Sequence, residues 1–160
     1  MDFIVYLKWA TVMSNLIMIG AGGHALSVYD LIASCSFELH FVSSLERPVN
    51  ELFSKKTWLE EDQLLLFNPD DYTLLNGVGM LPGSTTRKKI FNYYRKLKFD
   101  FPVLKHVHSS ISPLSKLRSG VQVFAGAVVN AGVDIGENCI VNTGVIIEHG
   151  SLVGMDSHIA

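Results

Sequence analysis

From Ile111 onward the aliphatic positions recur at every sixth residue: Ile111, Leu117, Val123, Val129, Ile135, Val141, Ile147, Val153 and Ile159. Four residues after each of the first eight stands a small or short branched side chain, at Ser115, Val121, Ala127, Val133, Cys139, Val145, Ser151 and Ser157. A period of six fits neither the 3.6-residue turn of an α-helix nor the alternation of a single strand. It predicts a parallel β-helix in which each hexad makes one short side and three hexads close a coil. The aliphatic residue then points inward and stacks on its equivalent 18 residues away, while the small residue lets the chain turn the corner. Glycines and asparagines at Gly120, Gly126, Asn130, Gly132, Gly136, Asn138, Gly144, Gly150 and Gly154 supply the permissive backbone of those corners. Cys139 falls on the core register and reads as a small buried hydrophobe.

The chain before residue 106 is patterned differently. Leu16, Ile17, Met18 and Ile19 form a short continuous apolar run, as in a strand buried on both faces, and Gly20-Ala21-Gly22-Gly23 follows at once. Ala25, Val28, Leu31 and Ile32 then recur at helical spacing. The unit is strand, glycine loop, helix. Further strands are predicted over residues 37–42, 64–67, 72–78 and 103–104, with a helix over 86–97 that is basic on one face through Arg87, Lys88, Lys89, Arg95 and Lys96. The alternation of strands and helices indicates an α/β unit over residues 15–105, followed by the β-helix over 106–160. Residues 1–14 precede the pattern and read as an extension, with Met13 as an alternative start.

Composition narrows the class. Apolar residues at 48% are enough for cores, and 18% charged residues with a net charge of −2 give neither the basic surplus of a nucleic-acid binder nor the charge excess of disorder. No run approaches the roughly 20 apolar residues of a membrane span, and Asp2 opens the chain where a signal peptide would be basic. Cys35 and Cys139, the two cysteines, make neither a zinc site nor a disulfide framework, so no metal and a reducing, cytoplasmic setting are expected.

Two motifs carry candidate chemistry. The glycine loop presents backbone N–H groups at a helix N-terminus, where the dipole favours a phosphate or carboxylate; the same glycines also suit a plain tight turn. The dinucleotide spacing is incomplete, and Ser43 and Ser44 follow Val42 where an acid would bind a ribose, so NAD is not expected. His149 follows Glu148 at a coil corner and could act as a base near neutral pH or stand idle in solvent. His106 and His108 read as linker residues.

The loop ending in His24, the Asn76-Gly77-Val78-Gly79 stretch, and the hexads through Ile146-Ile147-Glu148-His149 together resemble the sialic acid O-acetyltransferase NeuD family, which includes the PglD-like N-acetyltransferases of nucleotide-linked amino sugars. The likeness runs from about Asn15 to Ala160. It implies a Rossmann-like substrate domain, a left-handed β-helix, a homotrimer with sites between chains, and acetyl-CoA as donor. By the same resemblance His149 is the general base, Gly20, Gly22, Gly23, His24 and Asn142 bind the acceptor sugar or sugar nucleotide, and His158 contacts the acetyl donor. Asparagine also tolerates left-handed backbone, so Asn142 equally suits corner geometry.

Four positions depart from the family pattern: Ser43 and Ser44 replace an acidic pair, Leu26 replaces a lysine, and Gly150 replaces an acid after the histidine. The hexads from Ile111 to His158 number eight, whereas the family continues for several more coils, so a truncated C-terminus is expected. A different class stays open beside the enzyme: a truncated, non-catalytic trimeric module that binds a sugar or nucleotide.

Overall fold

The computed structural model describes residues 15–160; the expected extension over 1–14 lies outside them. Strand β1 (Leu16–Ile19) is buried at all four positions because it lies inside a four-stranded parallel sheet. With β2 (Leu39–Ser43), β3 (Thr57–Leu59) and β4 (Thr73–Asn76) the strand order is β3-β2-β1-β4. Residue alternation sends Leu16 and Met18 to one face and Ile17 and Ile19 to the other, and each face has its own core. Helix α1 (Gly23–Ser34) covers the first face with Ala25, Val28, Leu31 and Ile32. Two single-turn helices, α2 (Glu51–Ser54) and α3 (Glu61–Leu64), lie in the connections, and α4 (Thr86–Lys96) covers the second face with Phe91 and Tyr94.

The expected strand over 64–67 is not formed. Leu64 closes α3 and is buried, whereas Leu65 and Leu66 are exposed, so the leucine run is one anchored helix end followed by a turn. The strand at that sheet edge is instead β3, which pairs with β2 through Thr57, Trp58 and Leu59. The basic face predicted for the second long helix also divides: Lys88 and Lys89 are exposed, but Arg87 is 2% exposed and points into the molecule.

From Leu104 the chain winds into short two-residue strands in three stacked parallel sheets. One holds β5 (Leu104–Lys105), β8 (Gln122–Val123), β11 (Ile140–Val141) and β14 (His158–Ile159). The second holds β6 (Ser110–Ile111), β9 (Val128–Val129) and β12 (Ile146–Ile147), and the third β7 (Lys116–Leu117), β10 (Asp134–Ile135) and β13 (Leu152–Val153). Each rung partner is 18 residues away, as in Ile140 between Gln122 and His158, which is the period read from the hexads. From β6 on, the second residue of each strand points inward, and Val123, Val129, Ile135, Val141 and Ile147 share a core with Val121, Ala127, Val133 and Cys139; at β5 it is the first residue, Leu104, that is buried. The rungs start at β5, ahead of residue 106.

The corners repeat as strictly as the core. Positive φ occurs at Gly120, Gly126, Gly132, Asn138, Gly144, Gly150 and Asp156, one left-handed slot per hexad. Asn142 has no positive φ, so the left-handed explanation offered for it belongs to Asn138. Helix α1 is shared between the two halves of the chain: its core includes Leu16, Met18, Leu39 and Val42 from the sheet, and Leu104, Phe124 and Ile140 from the coil.

Candidate functional site

In a parallel sheet with order β3-β2-β1-β4, connections run in opposite directions on either side of the β1–β4 pair, and in open α/β sheets such a switch point, at the carboxyl ends of the strands, is where a ligand crevice is expected. The glycine loop forms one wall. Gly20 takes φ +93 and donates its N–H to the Ser43 carbonyl at 2.7 Å, turning the chain out of β1. The Asn76–Gly79 stretch forms the other wall, and Gly77 is there because it packs against β1 and α1: a Cβ on it would lie 2.8 Å from Met18 Sδ and 2.9 Å from Ala25 Cβ. Gly22 and Gly23 are exposed with open space above them, and Gly22 caps α1 with no side-chain hydrogen bond. The free N–H groups of that first turn face solvent with no acidic side chain near them in the turn.

His24 stands in the first turn of α1, half-buried, with its ring edge-on to Phe124 at 5.7 Å. Its Nε2 lies 2.9 Å from Gln122 Oε1. Burial pushes its pKa down to about 4, aided by the positive charges of Arg87 and of protonated His158 and opposed by the Gln122 hydrogen bond. His24 is therefore neutral at physiological pH. Gln122 is buried and donates its Nε2 to the Asn76 carbonyl at 2.9 Å.

The Asn76 carbonyl also accepts from Arg87 Nη1 at 3.0 Å, and the Val78 carbonyl accepts from the same nitrogen at 2.8 Å. Arg87 Nε reaches the Asn138 carbonyl at 3.2 Å. Burial lowers the Arg87 pKa to about 10, and the nearby Cys139 and Asp156 work against that lowering. The Asn138 side chain continues the network, accepting from Asn76 Nδ2 at 3.3 Å and donating to Asp156 Oδ1 at 2.8 Å, while Lys88 pairs with Asp156 at 3.1 Å. One polar network thus joins the glycine loop, β4, α4 and the coil.

The residues expected to act together do not all meet within one chain. Gly20, Gly22, Gly23 and His24 form the crevice wall, and His158, exposed on β14, lies on the coil sheet that faces them. His149 is exposed in the corner after β12, on a different sheet, and no side chain among the described residues hydrogen-bonds it. The Glu148 carboxylate is held by Asn130 Nδ2 at 3.1 Å, one coil below. Asn142 is half-buried in the corner after β11, where its N–H donates to the Ile159 carbonyl at 2.9 Å. His106 is not a free linker residue: it is buried, and its Nδ1 accepts the His108 N–H at 3.1 Å.

Gln122, Arg87 and Asn138 were not singled out from the sequence as site residues, although a signal for Gln122 exists. Outward rung positions are mostly charged or exposed, but the stack Leu104, Gln122, Ile140 is not charged, which marks the face that α1 covers. After β2, Ser44 lines a cleft of about 640 Å³ with Trp58, Glu60, Glu61, Asp62 and Tyr93. Among the described residues no three His, Cys, Asp or Glu side chains gather to hold a metal ion. No described helix is long and apolar enough to cross a membrane.

No protein-family model matches the chain, and no curated protein does. Solved structures do. The acetyltransferase domain of PglB from Neisseria gonorrhoeae is similar at 28% identity and a TM-score of 0.77, over 91% of this chain and 70% of that one. The same domain in complex with acetyl coenzyme A aligns with a TM-score of 0.78, at 28% identity over 91% and 69%. PerB from Caulobacter crescentus in complex with CoA and GDP-perosamine is similar at 26% identity and a TM-score of 0.78, over 90% and 67%. The described fold is that of these acetyltransferase structures.

Proposed function

We propose that this chain is an acetyl-CoA-dependent acetyltransferase of a sugar, either a nucleotide-linked amino sugar or a sialic acid, in the NeuD and PglD-like family. The observation that carries the reading is the likeness over nine-tenths of the chain to an acetyltransferase domain bound to acetyl-CoA, with PerB in complex with a sugar nucleotide as a second relative. The sheet order and the open helix N-terminus support a Rossmann-like acceptor domain over residues 15–105, and the stacked sheets a left-handed β-helix over 106–160.

His149 acts as general base. It takes the proton from the attacking amine or hydroxyl as that group forms its bond to the thioester carbonyl carbon; the C–S bond then breaks, and the CoA thiolate leaves with a proton. Gly20, Gly22, Gly23 and His24 bind the acceptor, Asn142 assists, and His158 contacts the donor. The separation of His149 from the His24 crevice supports sites assembled between the subunits of a homotrimer.

A thiol-release assay with acetyl-CoA and a panel of nucleotide amino sugars and sialic acids tests this. Turnover with at least one acceptor is expected, and His149→Ala should lower kcat by about 10²- to 10⁴-fold. Turnover with none defeats the enzyme reading. The unpartnered His149 favours one second reading, a non-catalytic module that binds the sugar or nucleotide; calorimetry would then detect acceptor binding without thiol release.

A further inference from the structure

We infer that Gln122 is a positioning residue that holds His24 in the tautomer protonated at Nε2, so that Nδ1 is a bare hydrogen-bond acceptor for a hydroxyl or N–H of the bound acceptor. The assignment follows from a chain of obligate roles. A backbone carbonyl can only accept, so the Gln122 atom 2.9 Å from the Asn76 carbonyl is the amide nitrogen. Arg87 donates to the same carbonyl at 3.0 Å, which bars the reversed amide, whose oxygen would face that carbonyl oxygen. The other Gln122 atom is therefore the oxygen, and it lies 2.9 Å from His24 Nε2. An amide oxygen requires a donor, so Nε2 carries the proton and Nδ1 carries the lone pair.

Nδ1 has no hydrogen-bond partner among the described residues, and it lies beside the Asn76–Gly79 stretch, 3.7 Å from where a Cβ on Gly79 would stand. The charged groups around the ring, Arg87 from α4 and His158 from β14, are both cationic when protonated and disfavour an imidazolium between them. The ring thus offers the crevice an acceptor and no charge. That selects for a donor on the ligand: an acceptor sugar with the facing hydroxyl removed or methylated binds less well. The ligand half of this inference rests on the proposed acceptor site; the tautomer half does not.

Two-bond ¹H–¹⁵N correlation spectra of the full chain, with His24→Asn to assign the signals, read the tautomer directly. At neutral pH, His24 is expected with a protonated Nε2 and an unprotonated Nδ1; a proton on Nδ1 would overturn the inference. In Gln122→Glu the carboxylate accepts from either form but favours the imidazolium, so His24 should titrate at a clearly higher pH. The acceptor KM should then rise roughly 2- to 10-fold with the acetyl-CoA KM unmoved. A Gln122→Glu protein whose His24 titrates as in the parent would refute the positioning role. Because loss of burial alone would also raise the titration point, the tautomer is read in the same spectra, and a proton that leaves Nε2 for Nδ1 in the variant while packing is kept is the signature of the lost Gln122 bond. If Gln122→Glu does not fold, the parent spectrum still decides. Absence of turnover with every acceptor would remove the proposed reaction and leave the tautomer result standing.

Discussion

At single residues, burial sets the chemistry more than sequence context does. His24 has a folded-state pKa of about 4 against an ordinary 6.5, so an unfolded chain binds a proton in that interval that the folded chain does not. Stability is complete above pH 6.5 and falls as the pH drops from 6.5 towards 4. For this half-buried ring we expect about 2 kcal/mol to be lost across that window, after allowance for solvent screening. Urea unfolding at a series of pH values should show this slope in the parent and a flatter one in His24→Asn. Arg87 makes a different case, because three backbone carbonyls depend on it. Arg87→Leu strands those of Val78 and Asn138, while the Asn76 carbonyl keeps Gln122, and should cost about 3 kcal/mol in the same measurement. Cys139 is buried and desolvation pushes its thiol pKa up, whereas Cys35 is partly exposed. A thiol reagent should titrate one cysteine in the native protein and both in denaturant.

At the scale of elements, the hexads were legible because they repeat the same local demand: an inward aliphatic, a small corner residue and, from Gly120 on, a left-handed slot. Strand β1, its glycine loop and α1 were legible for a similar reason, since a doubly buried strand and a one-sided helix leave different spacings. The edge of the sheet was not. Thr57-Trp58-Leu59 is short, set between Lys55-Lys56 and Glu60-Glu61, and buried fully only at Leu59, so it leaves almost no pattern, while the leucines after it imitate a strand. Nor could the basic run at α4 reveal that Arg87 turns inward, because a helix face shows its partner only once the coil is docked. Asn138 looked like one corner residue among many. Its φ of +59 suits glycine, yet its side chain holds Asn76 and Asp156. Asn138→Gly should therefore lose these bonds but relax the backbone, whereas Asn138→Ala loses both, and chemical denaturation should rank the alanine variant about 1 kcal/mol below the glycine variant.

For the whole molecule, the docking of sheet on coil through α1 decides what can move. Leu31 is 1% exposed in the core that joins the two halves, and Leu31→Ala should cost about 2–5 kcal/mol. Because that core spans both halves, circular dichroism and the fluorescence of Trp58 on the sheet edge should lose their signals in one transition, in the variant as in the parent. Light scattering measures the assembly: the proposed homotrimer has a mass of about three times 17.7 kDa.

The shared helix also bears on how such a protein could be rebuilt. Leu104, Phe124 and Ile140 face α1, while Leu16 and Met18 meet it from the sheet. A graft of this coil onto another α/β unit would succeed only if the new unit brought a helix shaped to these three side chains and a partner for Gln122. Swapping specificity by exchanging whole units is therefore closed to this architecture unless the seam travels with them, and variation of the loops at the carboxyl ends of the strands is the open route.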